Sequence, residues 1–300
     1  MSGAITDTTA SSSPRRPGTP APRIPRIFHF IYLSPRSEEL SLAYYLCLES
    51  CLRVNEPDEV FLYCRHEPRG AYWERLRERV TLVVVAGSEV VPELNYPRRR
   101  MNRYRDLHET DFLRLEILLR QGGVYADLDT LFVNPLAPEL FEHSFVIGRE
   151  LDVYRGGGEE AVPSLCNAVL MCAPGAPFAR LWLQRMPAAF DGTWDAHSTG
   201  LAELLRAEHP ELVHIEPSRS FYPFMFTRED LAKLFEELHT DLEGVYSIHM
   251  WAHLWWSRWR RDFSSFHGGR LSERYVRAGG TTYAHAARPV LMAATDAARA

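Results

Sequence analysis

The sequence predicts an α/β domain built on a mostly parallel sheet flanked by helices. Three observations lead there. Short apolar runs rich in β-branched and aromatic residues recur early in the chain: "IFHFIYL" (27–33), "VFLYC" (60–64) and "TLVVV" (81–85). Stretches of helical length and period separate them. The runs are apolar on both faces, as strands covered by helices on either side must be. The chain has 300 residues and is 46% hydrophobic, enough for one substantial core.

The elements follow in order. Residues 1–23 are rich in Ser, Thr, Pro and Ala and lack an apolar h-region, so they read as a disordered leader and not a secretory signal. The first strand follows a proline and stops at "SPRS"; a helix over 38–54 leads to the strand at 60–64. A helical stretch over 71–79 precedes the strand at 81–85. Residues 110–121, "TDFLRLEILLRQ", read as a helix, with Thr110 as its cap and Asp111 in the positive first turn. Gly122 and Gly123 end it, one of them left-handed. A strand starts at Val124. Alternation sends Val124, Ala126 and Leu128 to one face, and Tyr125, Asp127 and Asp129 to the other. Strands are expected at 145–148, 167–173 and 212–217, and helices near 176–186 and 196–208. The run "GVYSIHMW" (244–251) reads as the last strand of the sheet, and "RGGGEE" (155–160) as a flexible loop. Residues 276–300 carry weak signals and read as a loosely ordered tail, which leaves 24–275 as the domain.

Composition narrows the function. A formal net charge of -5 argues against a general nucleic-acid binder. No apolar run approaches the roughly 18 residues of a membrane span. The five cysteines (Cys47, Cys51, Cys64, Cys166, Cys172) are odd in number and form no C-x-x-C pair. They read as small core residues in a reducing, cytoplasmic setting.

The chemistry concentrates in "GGVYADLDTL" (122–131). Asp127 and Asp129 offer oxygen ligands suited to a hard divalent cation, Mg²⁺ or Mn²⁺, of the kind that clamps a pyrophosphate. The bare D-x-D spacing arises roughly once by chance in a chain of this length, and it also fits solvated loop carboxylates. Its setting marks it out, because ligands of open α/β sheets bind at the carboxyl ends of strands. Asp111 and Arg114 lie three apart on one face of an otherwise apolar helix, which fits a site or a surface ion pair.

"HETDFLRLEILLRQGGVYADLDTLFVNPL" (108–136) resembles the signature of the glycosyltransferases whose sugar-binding region contains a DXD motif, a family that includes clostridial glucosylating toxins, fungal mannosyltransferases and α-1,4-galactosyltransferases. The matching positions are Asp111, Arg114, Gly122, Gly123, Tyr125, Asp127 and Asp129. Weaker similarity extends to "RIPRIFHFIYLS", "NAVLMCAPGAPFARLW" and "YSIHMWAHLWW". The resemblance implies a GT-A fold, Rossmann-like, that moves a sugar from a nucleotide-diphosphate donor, a UDP-sugar for preference, with retention and with Mn²⁺ or Mg²⁺ bound. It implies catalytic roles for Asp111, Arg114, Asp127 and Asp129, and metal contacts from Asp127, Asp129 and His249, with His253 a rival. It implies donor contacts from Phe30, Tyr32, Asp111, Arg114, Tyr125, Asp127 and Asn167. Tyr32 stands where the family often has Trp, and a tyrosine can still stack on a base. The acceptor stays open: glycan, lipid, protein or small molecule. Two other readings fit the residues, a metal-dependent phosphotransferase or hydrolase acting on a nucleotide diphosphate, and a sugar-binding module. The basic run 98–105 fits a solvated face or an acceptor-side loop. Trp251, Trp255 and Trp259 fall on one helical face, which fits a core stripe or an acceptor wall.

Overall fold

The computed structural model describes residues 23–34, 36–88, 96, 105–151, 164–252 and 271–297. Four expectations fall wholly or mainly outside these residues: the leader, the basic run up to residue 104, the loop at 155–160, and the stretch holding His253, Trp255 and Trp259.

Seven strands form one sheet: β1 (Ile27–Tyr32), β2 (Glu59–Cys64), β3 (Thr81–Val84), β4 (Gly123–Ala126), β6 (Phe145–Arg149), β7 (Leu165–Cys172) and β8 (His214–Glu216). Between β4 and β6 lies the short β5 (Thr130–Phe132), and β9 (Ser247–His249) follows β8. The sheet order is β3-β2-β1-β4-β7-β6-β8. Only β7 is reversed, pairing antiparallel with both β4 and β6. The expected mostly parallel α/β sheet is therefore present. One strand differs in place. The run 244–251 does not join this sheet; its β9 pairs antiparallel with β5 as a separate two-stranded ribbon.

The helices are α1 (Leu42–Val54), α2 (Ala71–Glu74), α3 (Arg105–Gln121), α4 (Pro177–Ala189), α5 (Thr199–Glu208), α6 (Ser218–Phe221) and α7 (Arg228–Phe235), followed by a C-terminal pair, Glu273–Ala278 and Thr282–Ala297. They cover both faces of the sheet. Phe28, Phe30, Leu62, Val124 and Ala126 pack with α1 and the C-terminal helices. Ile31, Tyr63, Tyr125 and Leu170 pack with α3, α4 and α5. The alternation expected along β4 thus holds for residues 124–126, with Tyr125 on the opposite face from its neighbours.

Two boundaries moved for local reasons. Helix α3 begins five residues before Thr110, whose hydroxyl bonds the Asp106 carbonyl one turn back at 2.9 Å instead of capping. Gly122 and Gly123 are both left-handed, with φ of 71° and 102°. A Cβ on Gly123 would lie 2.5 Å from the Ile27 carbonyl oxygen, so only glycine lets β4 leave the helix this close to β1.

The tail reading is corrected for the described residues. Tyr283, Ala287 and Leu291, spaced at four residues, are fully buried in the core that α1 also enters. Alanine-rich sequence hid a helix whose stability comes from packing. Leu291→Ala should destabilise the protein by about 2–5 kcal/mol, the usual cost of emptying a buried leucine site; a urea midpoint unchanged from wild type would show that this helix does not belong to the cooperative core.

His29 ties β1 to the double glycine. Its Nε2 lies 2.8 Å from the Gly122 carbonyl and its Nδ1 3.2 Å from the Tyr63 hydroxyl. Gln121 donates to that hydroxyl. A neutral ring that donates from Nε2 and accepts at Nδ1 satisfies all three groups. Burial outweighs the Gly122 hydrogen bond and lowers the His29 pKa from 6.5 to about 4. The unfolded chain therefore takes up a proton that the folded chain refuses as pH falls from 6.5 toward 4, so stability drops across that window. At about 1.4 kcal/mol per pH unit the His29 share reaches at most about 3 kcal/mol. Denaturant midpoints of wild type and His29→Gln, compared at pH 7 and pH 4.5, check it: the wild type should lose more.

Candidate functional site

The site forms where β4 ends and β7 begins. Asp127 N–H donates to the Ala168 carbonyl at 2.8 Å, continuing the β4–β7 ladder by one residue. A turn then intervenes, with Thr130 N–H donating to the Asp127 carbonyl at 3.1 Å. The simple alternation expected through Asp129 is therefore broken, because β4 stops at Ala126 and Asp129 sits in the turn.

Asp111, Arg114, Asn167, Tyr125 and Asp127 form one connected group. Arg114 is nearly buried and reaches three ways. Its Nη2 lies 3.1 Å from Asp111 Oδ1, its Nη1 donates to the Asn167 carbonyl at 2.7 Å, and the same Nη1 is 3.6 Å from Asp127 Oδ1. Its guanidinium lies over the Tyr125 ring, 4.6 Å from the centroid. Asn167 Nδ2 donates to Asp111 Oδ1 at 2.8 Å, and the Tyr125 hydroxyl donates to Asp127 Oδ1 at 2.5 Å. Burial works against charge on Asp111, but Arg114 and His197 outweigh it and hold the carboxyl below its ordinary pKa. For Asp127 burial dominates and raises the pKa against the pull of Arg114 and His249. Asp127 keeps 25% of its side chain exposed, against 11% for Asp111 and 7% for Arg114, so it is the most open member of the three.

Asp129 is enclosed by the segment around β9. Register pairs Thr130 with His249, which brings the imidazole beside the turn. His249 Nε2 lies 3.1 Å from Asp129 Oδ1 and 3.8 Å from Asp127 Oδ2. Met250 N–H donates to the Asp129 carbonyl at 3.0 Å, and Ala252 N–H to Asp129 Oδ2 at 2.7 Å. Between them Trp251 is left-handed, with φ of 55°, a region that costs a bulky side chain about 1–3 kcal/mol. Its indole N–H donates to the Phe224 carbonyl at 2.9 Å and anchors the ring in the core. The strained residue turns the chain so that the next N–H points back at Asp129. Burial opposes charge on His249, yet Asp129 outweighs it and raises the pKa above 6.5.

Asp127, Asp129 and His249 offer ligand atoms that all lie within 4.8 Å of one another. Neighbouring ligands of an octahedral ion at about 2.1 Å stand about 3 Å apart, close to the His249–Asp129 spacing. Two carboxylates and an imidazole are also a donor set that suits Mn²⁺, and less closely Mg²⁺. These residues fit a divalent cation.

Comparison with known proteins agrees with this geometry. Residues 82–146 match the family model "glycosyltransferase sugar-binding region containing DXD motif". The matched segment holds Asp111, Arg114, Asp127 and Asp129, so this part of the chain is similar to the sugar-binding region of the DXD glycosyltransferases. The chain is 28% identical over 249 residues to glucan organizing enzyme 1 of Cryptococcus neoformans var. grubii; the match takes in 80% of the chain and 66% of that relative, just under two thirds of its length. Among solved structures it is similar to the galactosyltransferase LgtC (17% identity, 81% of this chain and 93% of that one, TM-score 0.47) and to mouse xyloside xylosyltransferase 1 (16% identity, 64% and 86%, TM-score 0.42). These are resemblances of shape at low sequence identity. The sheet order, with β7 reversed beside β4, keeps the mostly parallel α/β arrangement that the sequence predicts.

Two residues expected at the donor are placed differently. Phe30 has no accessible surface and packs within the core on the α1 side of the sheet, so contact with a ligand would require opening that core. Tyr125 is buried too, its hydroxyl engaged by Asp127 and its ring by Arg114. Tyr32 ends β1 edge-on to Tyr44, with ring centroids 5.9 Å apart. Sequence reasoning missed three members of the site's surroundings. Cys47 on α1 sends its thiol toward the Asp127 carbonyl at 3.6 Å. The Ala252 amide is a backbone group without a sequence signal. His197, beside Asp111, lies in a stretch with no recognisable motif. No helix among the described residues is long and apolar enough to cross a membrane.

Proposed function

We propose that this chain is a glycosyltransferase that takes its sugar from a nucleotide-diphosphate donor, a UDP-sugar, and transfers it with retention in a site that uses Mn²⁺ or Mg²⁺. The observation that carries the reading is the meeting of Asp127, Asp129 and His249 beside the Asp111–Arg114–Asn167 group at one end of β4. A divalent ion held by Asp129 and His249, with Asp127 at its edge, would supply charge neutralisation for the departing diphosphate.

The chain's own residues do the rest. Asp129 is fixed by two donors on different oxygens, so its carboxylate is oriented before any ligand arrives. Asp127, the more open carboxylate, faces the ribose or the sugar. Asp111 and Arg114 accept from and donate to sugar hydroxyls, and Asn167 fixes the Asp111 carboxylate beside them. Tyr32, at the carboxyl end of β1, offers its ring to the base. The acceptor hydroxyl attacks the face that the diphosphate leaves, and a diphosphate oxygen takes its proton; the sugar carbon exchanges one C–O bond for another with net retention. Five buried, unbridged cysteines suit a cytoplasmic setting, which we also propose.

A panel of UDP- and GDP-sugars with Mn²⁺ tests the reading. Release of nucleotide diphosphate with free or transferred sugar is the expected result. Release of nucleotide monophosphate would replace it with phosphotransfer or pyrophosphate hydrolysis. Metal-dependent binding without turnover would leave a sugar-binding module.

A further inference from the structure

We propose that His197 is a positioning residue for Asp111: its Nε2–H fixes the orientation of the carboxylate that meets the donor sugar. The proposal rests on the reading that Asp111 contacts that sugar. His197 has no accessible surface and lies just before α5, far from α3 in sequence. Its Nε2 is 3.2 Å from Asp111 Oδ2. The other carboxylate oxygen, Oδ1, is taken by Asn167 at 2.8 Å and Arg114 at 3.1 Å. Without His197, Oδ2 would be free to swing about the Oδ1 anchor. With it, each oxygen has a nitrogen beside it and the plane of the carboxylate is restrained.

The ring is held by a built enclosure. It stacks on Phe112 (5.6 Å between centroids, 13° between planes) and meets His108 and Phe190 edge-on at 4.8 Å and 5.1 Å. Trp182 donates to its backbone carbonyl at 3.2 Å. His108 is kept neutral, since burial, then His197, lowers its pKa to about 4. Aromatic packing of this kind would suit a phenylalanine at 197 as well as a histidine. The ring nitrogens add nothing to the packing, and each is buried without an aligned hydrogen bond. A polar ring in an apolar cage costs free energy unless its nitrogen serves the neighbouring carboxylate. The 3.2 Å approach is bent away from the N–H axis, so a small rotation of the ring or carboxylate would align it.

The test uses the full chain and two variants. His197→Phe keeps the ring and removes the donor; His197→Gln restores an N–H near the Nε2 position. With UDP and Mn²⁺ as the probe, His197→Phe should bind as wild type within about twofold. With the UDP-sugar most readily turned over in the donor panel, its kcat should fall about tenfold or more, the loss expected when one charge-assisted hydrogen bond goes. His197→Gln should recover a good part of that loss. Equal kcat in His197→Phe and wild type would overturn the proposal, and so would a parallel loss of UDP affinity, which would mean general disruption. A second readout does not depend on the donor. In ¹⁵N-histidine-labelled protein at neutral pH, His197 should carry its proton on Nε2, and Asp111→Asn should shift that signal. A ring with a bare Nε2 overturns the proposal even if sugar transfer is confirmed. Failure of wild type to bind UDP would instead sink the nucleotide reading, and the ¹⁵N result would still decide the His197–Asp111 contact.

Discussion

Asp129→Asn is expected to abolish turnover and metal-dependent nucleotide binding while leaving a folded protein. The substitution keeps the shape of the side chain and removes its charge. It also spoils the hydrogen bonding, because Asp129 receives His249 on one oxygen and the Ala252 amide on the other. An asparagine has one acceptor oxygen, so one of those donors would face an NH₂ group at a cost of about 1–3 kcal/mol. A cation's share of transition-state stabilisation is several kcal/mol, and each 1.4 kcal/mol is tenfold in rate, so a loss of about a thousandfold or more follows. Titration of Mn²⁺ in the presence of UDP, together with turnover of the best donor, measures both effects. Near-normal activity in Mn²⁺ buffer would remove Asp129 from the metal.

Arg114→Ala should be the most damaging single change to stability near the site. Arg114 faces Asp111, Asp127 and the Tyr125 ring at once, and it is 6% exposed. Removing it leaves two largely buried carboxylates without their guanidinium, a situation that costs about 3–5 kcal/mol. The sign of the pH dependence follows. In wild type the Asp111 pKa is held low, so the pair stabilises the fold above the ordinary carboxylate range and loses that contribution as pH falls through the lowered value. In Arg114→Ala burial is opposed mainly by His197 at Asp111 and by His249 at Asp127, so the carboxyls rise; they can then protonate more readily in the folded state, which relieves the penalty on acidification. The stability gap between variant and wild type should therefore be widest near pH 7 and narrow toward pH 4.5, as read by urea midpoints. Arg114→Lys should recover only part of it, since an ammonium cannot fork between Asp111, Asp127 and the Asn167 carbonyl. A gap that stays constant over that range would mean that the loss is one of packing.

Much of this protein is written locally. The apolar runs at 27–33 and 60–64 became β1 and β2, inner strands that need apolar residues on both faces, and the run at 81–85 became β3, the edge strand, whose residues stay partly or fully exposed. The double glycine announced the sharp exit from α3, where a side chain on Gly123 would strike β1. The three-residue step from Asp111 to Arg114 placed both on one helix face, and the D-x-D placed two carboxylates beyond one strand end. Spacings of two, three and four residues are fixed by backbone geometry within a single element, so sequence alone determines them.

The rest depended on which distant segments pack together. His249 lies 120 residues from Asp129, and only the β5–β9 ribbon brings them to 3.1 Å. Nothing in "GVYSIHMW" distinguishes a sheet strand from a ribbon strand, because both alternate in the same way. Asn167 reached Asp111 through the reversed β7, and His197 through the packing of the segment before α5 against α3. The left-handed turn at Trp251 carries no residue-type signal; tryptophan is a poor choice there, and the structure holds it through the indole bond to Phe224. The C-terminal helix was hidden for a related reason: its alanines and scattered large residues form an apolar stripe whose worth appears only once α1 supplies the opposite face. Long-range pairing is chosen by the burial it achieves across the whole chain, and tertiary structure alone decided it.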